Sequence, residues 1–236
     1  RRGAVDRASM RLADVASADI VVICSPLDAI IPLFKRIVPF LKPGAIVTDA
    51  GSVKEPILRA AARVKRPASV HFMGGHPLAG SHRTGVEASS FRLFEGSTVV
   101  LVPGSRTALS PLKALWRVAG AKTLVLTAKE HDRAVALISH LPHALAHALV
   151  HLIARARDRR RLASLVAGSF RDATRVASAD PSQWAQIFGA NARPLRDALR
   201  SFRRELSRFE NNLSRSSLQK HLKVSQAFRR PLFHGK

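Results

Sequence analysis

The chain of 236 residues has no tyrosine, one cysteine, two tryptophans and only 16 acidic residues against 39 lysines and arginines. A single cysteine, Cys24, excludes an internal disulfide and agrees with a reducing, cytoplasmic compartment, with the thiol expected to serve as a small buried hydrophobe. No membrane span is expected, because Asp28 breaks the first long apolar run and four histidines dot residues 134–154. None of the 13 glycines forms a Gly-x-Gly-x-x-Gly turn, the usual cradle of a dinucleotide pyrophosphate. The chain opens Arg-Arg-Gly with neither a methionine nor an apolar signal-like segment, which reads as a fragment or a processed chain.

The shortage of acid leaves a net charge of +23. It divides as +10 over residues 1–128 and +13 over 129–236, so it is spread along the chain and not gathered in a basic arm, although residues 155–161 (RARDRRR) form a dense cluster. Such a surface attracts polyanions whatever the fold. Against a dedicated nucleic-acid role stand the lack of a recognised motif and the scarcity of aromatic side chains for base stacking.

What is present is an alternation. Residues 19–24 (DIVVIC) form a continuous β-branched apolar run, too short for a helix, which predicts a strand buried on both faces. Residues 28–41 place Ile30, Ile31, Leu33, Phe34, Ile37, Val38 and Leu41 at helical spacing, with Pro39 kinking or shortening the end. Strands are expected again at 45–49, 69–73, 97–102 and 122–126, with helices from about Pro56 to Val64 and from Pro111 to Val118. This is the pattern of a doubly wound parallel α/β sheet. After about residue 128 only helical patterns remain: residues 131–153 with a kink at Pro142, and a seam of Leu195, Leu199, Phe202, Leu206, Phe209 and Leu213. That seam suits packing against another helix, within the chain or from a second subunit. Residues 214–236 read as a polar, basic and frayed tail.

The stretch best suited to chemistry is residues 70–87 (VHFMGGHPLAGSHRTGVE), an apolar run that ends in two glycines and then His76, held extended by Pro77. A strand of this kind delivers a side chain to the edge of an α/β sheet, where ligands bind. The residues alone also allow a plain loop histidine. Similarly, Ser52 could cap the following helix, Asp49 could stabilise its turn, and His143, His147 and His151, spaced by four, could share a helical face as zinc ligands.

Six ordered segments, DIVVICSP (19–26), TDAGSVK (48–54), GGHPLAGSHRTGVE (74–87), LFEGSTVVLVP (93–103), HD…SHLPH (131–143) and SFRDATRVA…DPSQW (169–184), closely resemble the prephenate/arogenate dehydrogenases of tyrosine biosynthesis. The resemblance runs from about residue 18 to 184. It implies an incomplete Rossmann-like domain over residues 1–128 and a helical substrate and dimerisation domain over 129–236. By that resemblance NAD or NADP oxidises prephenate or arogenate, the hydride leaving the ring carbon that bears the hydroxyl and the ring carboxylate leaving as CO2. His76 is implied as the base on the ring hydroxyl, Ser52 as its orienting neighbour, Arg175, His143 and Ser139 as substrate contacts, and Ser25, Pro26 and Asp49 as cofactor contacts. No metal is implied, and the expected assembly is a homodimer through the helical domain.

The family's first strand, Gly-rich turn and helix, and with them the selector between NAD and NADP, are expected to lie outside these 236 residues, leaving a sheet edge uncovered and dinucleotide affinity low. Two other readings stay open: a different hydroxy-acid dehydrogenase with a helical second domain, and a basic polyanion-binding module on a decayed dehydrogenase fold.

Overall fold

The computed structural model describes residues 5–80 and 89–234; the SHRTGVE half of the GGHP motif lies outside them. Five strands, β1 (Ile20–Ile23), β2 (Ile46–Asp49), β3 (His71–Pro77), β4 (Thr98–Val102) and β5 (Lys122–Val125), form one sheet in sequential order. The helices are α1 (Ile30–Ile37), α2 (Glu55–Ala62), α3 (Arg106–Val118), α4 (Ala128–Val135), α5 (Leu141–Ala154), α6 (Arg159–Ser164), α7 (Gly168–Thr174), α8 (Pro181–Ala190), α9 (Ala192–Asn211) and α10 (Arg215–His234). The chain divides into two compact units, Arg1–Leu195 and Arg196–Lys236.

The sheet is covered on both faces in its centre, and the period-2 alternation of its strands shows how. Val47 and Phe72 join Ile30, Phe34, Ile37 and Ile57 from α1 and α2 in one cluster, whereas their neighbours Ile46 and Met73 join Leu112 and Trp116 of α3 in the other. Full burial of a side chain such as Phe34 contributes about 1.5–3 kcal/mol.

Several expectations are corrected. The sheet is mixed, because β4 runs antiparallel to β3 while the other three pairs are parallel. β4 starts at the end where β3 stops, so this pair needs no crossover helix. β1 is an edge strand of the described sheet, and only Ile23 in it is fully buried. Cys24, one residue past that edge strand, is exposed and not a core residue. α1 is confined to Ile30–Ile37, with 3₁₀ turns before it and over Val38–Phe40, where Pro39 removes a donor. α3 begins five residues before Pro111, held by burial of Ala108, Leu112 and Trp116 along one face. The tail is largely helix α10.

α4, a π-helical turn over Ala136–His140 and α5 make one rod, Ala128–Ala154. The π turn lies just before Pro142, whose missing N–H and bulky ring disturb the regular ladder. By length and composition the rod could cross a membrane. Its first half, however, packs on α2 and β4 and buries His131, Asp132 and His140. Within the second unit Phe209 of α9 meets His221 of α10 edge to face, while Leu206 and Leu213 of the seam stay exposed.

Candidate active site

β3 carries the GGHP motif to the carboxyl ends of β1 and β2, where the sheet's loops gather. Gly75 is required there by close approach, since a Cβ would lie 2.5 Å from the Asp49 carbonyl oxygen and 2.9 Å from Thr48 Oγ1. Behind it Asp49 and Lys54 form a wholly buried ion pair. The Asp49 carboxylate also accepts the Gly51 N–H at 3.0 Å and the Gly75 N–H at 3.2 Å, and the Lys54 ammonium donates to the Gly75 carbonyl at 2.7 Å. Burial pulls the Lys54 pKa below its ordinary value, with Asp49 and then Asp132 opposing that pull. Asp49 therefore braces the turn from within the fold and presents no exposed carboxylate.

His76, the next residue along, is half-buried, and its Nδ1 lies 2.8 Å from Nε2 of His131 on α4. α4 is started by a capping box in which the Thr127 hydroxyl accepts the Glu130 N–H and Glu130 reaches back to the Thr127 N–H, and this fixes the first turn that carries His131 and Asp132. His131 Nδ1 sits 2.7 Å from Asp132 Oδ1, and both residues are buried. Asp132 accepts the backbone N–H groups of Lys54 at 2.7 Å and Glu55 at 2.8 Å, so it, and not Ser52, satisfies the N-terminus of α2. The carbonyl of Asp132 accepts from Asn191, whose amide nitrogen also lies 3.1 Å from His140 Nδ1. Burial, then His131, Lys54 and His140, hold the His76 pKa well below the usual histidine range, so the ring is neutral at pH 7.

The other expected residues fall around this centre. Ser52 is half-buried in the loop after β2 and forms no hydrogen bond among the described residues. Ser25 and Pro26 follow β1, and the Ser25 hydroxyl donates to the Pro26 carbonyl at 3.3 Å. Ser139 is half-buried in the π turn. The His143 ring stacks on Trp184 at 3.4 Å, and its Nδ1 is buried without a partner. Trp184 is placed by α8, which starts at Pro181 with Asp180 capping the Gln183 N–H. Burial, then His147 and Arg175, lower the His143 pKa to about 4. Arg175 itself is exposed. His131, Asp132, Lys54, Trp184 and Asn191 were not singled out by sequence, although the first four lie inside the quoted motifs. Among the described residues no group of three His, Cys, Asp or Glu is arranged to hold a metal.

The chain matches the family model described as prephenate dehydrogenase, nucleotide-binding domain, over residues 1–125, and the model described as prephenate dehydrogenase, dimerization domain, over residues 127–226. It is 35% identical over 221 residues to the prephenate dehydrogenase of Lactococcus lactis, covering 93% of this chain and 61% of that protein. The crystal structure of the Aquifex aeolicus prephenate dehydrogenase in complex with hydroxyphenyl propionate and NAD+ superposes with a TM-score of 0.86 at 32% identity, covering 97% of this chain and 82% of that one. The Synechocystis arogenate dehydrogenase superposes with a TM-score of 0.84 at 30% identity, covering 97% and 84%. The chain spans about three fifths of the length of the first curated relatives it matches.

Proposed function

Because the chain belongs to the prephenate dehydrogenase family, we propose that it carries the catalytic centre of an NAD- or NADP-dependent oxidoreductase that converts prephenate to 4-hydroxyphenylpyruvate or arogenate to tyrosine. The observation that carries this reading is His76, neutral and half-buried at the end of β3, in the family's GGHP motif.

The residues present suit the nicotinamide end of such a cofactor. The parallel strands β1 and β2, in register at Ile23 and Asp49, lead into Ser25 and Pro26 on one side and Gly51 and Ser52 on the other, with the Ser52 hydroxyl free of hydrogen bonds among the described residues. The pyrophosphate end has no Gly-x-Gly-x-x-Gly turn within the 236 residues. When bound, the cofactor would supply the acceptor for the hydride that leaves the substrate's hydroxyl-bearing ring carbon.

His76 takes the proton from that hydroxyl as its C–H bond is lost, so the oxygen keeps the O–H electron pair and forms a carbonyl. Loss of the ring carboxylate as CO2 returns an electron pair to the ring, which becomes aromatic, and the oxygen regains a proton. A neutral imidazole is required for the first step, and burial supplies it. Ser52 orients the hydroxyl or the imidazole. Arg175 offers its guanidinium to a substrate carboxylate, while the unpartnered His143 Nδ1, on a ring held flat by Trp184, and Ser139 line the pocket.

In this reading residues 1–128 serve the nucleotide, and residues 129–236 serve substrate binding and a homodimer. The exposed Leu137, Ile138, Leu149 and Leu152 of the long rod supply apolar surface for that pairing. Spectrophotometric assay of the full gene product containing these residues, with each substrate and each nucleotide in turn, tests the proposal. Reduced nucleotide formed with at least one pair is expected; a folded protein inert with all four pairs overturns it.

A further inference from the structure

We propose that His131 and Asp132 are positioning residues that decide which ring nitrogen of His76 carries its proton, leaving Nε2 bare for the substrate hydroxyl. This rests on the reading of His76 as the base. The chain of contacts starts at Asp132. Its carboxylate receives two backbone N–H groups, from Lys54 and Glu55, neither of which can accept, and it faces His131 Nδ1 at 2.7 Å. Three donors converging on one carboxylate form the set that suits an ionised acceptor, so the His131 proton belongs on Nδ1. Neutral His131 then offers a lone pair at Nε2. His76 Nδ1, 2.8 Å away, must donate into it, and His76 Nε2 is left unprotonated.

The assignment follows from donor and acceptor counting in a buried site, where an unmatched pair is costly. A proton moved to His131 Nε2 would point back at His76 Nδ1, and neutral His76 would then hold its proton on Nε2, the wrong nitrogen for a base. The groups acting on His76 are His131 from α4, with Asp132 behind it, Lys54 from the start of α2, paired with Asp49 of β2, and His140 from the π turn. Once His76 has taken the hydroxyl proton at Nε2, its Nδ1–H remains in the bond to His131. The new charge is thereby linked through one imidazole to the Asp132 carboxylate.

His131→Leu tests this by removing the acceptor that faces His76 Nδ1. With that acceptor gone, nothing at this contact holds the ring proton on Nδ1, and Nε2 is free to carry it. The tautomers are read by nitrogen NMR of the imidazoles in the 236-residue chain, with His76→Asn assigning the signal. The native chain at pH 7 should show His76 protonated on Nδ1, and His131→Leu should shift that proton to Nε2. In the full gene product His131→Leu should lower kcat by about 10²–10⁴-fold with KM little changed. His131→Gln, whose carboxamide can donate to Asp132 and accept from His76, should recover much of that loss. His76 protonated on Nε2 in the native chain overturns the proposal, as does an unchanged kcat in His131→Leu. Native tautomers as stated, in a gene product inert with every substrate pair, would uphold the tautomer assignment and overturn the assigned reaction.

Discussion

The buried pair behind the GGHP turn gives a sharp energetic prediction. Lys54 and Asp49 are both 0% exposed, and each touches the backbone of Gly75 as well as its partner. Asp49→Asn keeps the shape and strands the ammonium, a loss expected to cost about 3–5 kcal/mol. Lys54→Met strands the carboxylate and also leaves the Gly75 carbonyl without its donor, a comparable loss. In the double variant neither position leaves an unpaired charge, so its cost should not exceed that of either single change. The coupling between the two positions should therefore be about 3 kcal/mol or more. Since domains of this kind hold about 5–15 kcal/mol, the single variants should unfold at far lower urea, followed by circular dichroism.

Raising the pH should soften Asp49→Asn in particular. A lysine whose folded pKa is depressed binds fewer protons folded than unfolded, so stability rises as pH climbs towards the unfolded value near 10.4. Additive single-variant losses, or losses below about 1 kcal/mol, would refute the reasoning.

Three further outcomes are expected. Burial holds His140 at about 4, so the unfolded chain takes up that proton first as the pH falls; stability should drop between about 6.5 and 4, by up to about 3 kcal/mol, and a His140→Gln variant should lose less over that range. Gly75→Ala drives a Cβ to 2.5 Å from the Asp49 carbonyl oxygen and should cost about 2–4 kcal/mol in urea unfolding, with a native-like midpoint arguing against the close approach. Calorimetric titration of the 236-residue chain with NAD or NADP should show no micromolar affinity, because the sequence holds no Gly-rich turn for the pyrophosphate; micromolar binding would contradict this.

The strands and helices of the sheet region were legible because their side chains answer to local burial. DIVVIC, AIVTD and STVVLV are apolar runs with few ways to be covered, and each contains an observed strand. The direction of β4 was not legible, since an apolar run carries no sign of which way its neighbour runs. The exposure of Cys24 depends on β1 lying at an edge, which a single segment does not reveal. His76 stood out because Gly, His and Pro at the end of an apolar run have few structural uses. Its partners did not: His131 lies 55 residues away, and Asn191 a further 60. An adjacent His-Asp pair near a helix start reads like any polar first turn. Only the fold shows that one side chain points at His76 while the other serves the N-terminus of α2.

The central claim is that a neutral His76 removes the substrate's hydroxyl proton, and the direct measurement is kcat against pH for the full gene product and its His76→Asn variant. The native enzyme should keep its activity well below pH 6.5 before losing it to protonation of a single group, and the variant should fall by about 10²–10⁴-fold at neutral pH. Equal kcat in the two proteins, or a native profile that already fails as the pH drops through 6.5, would contradict the account.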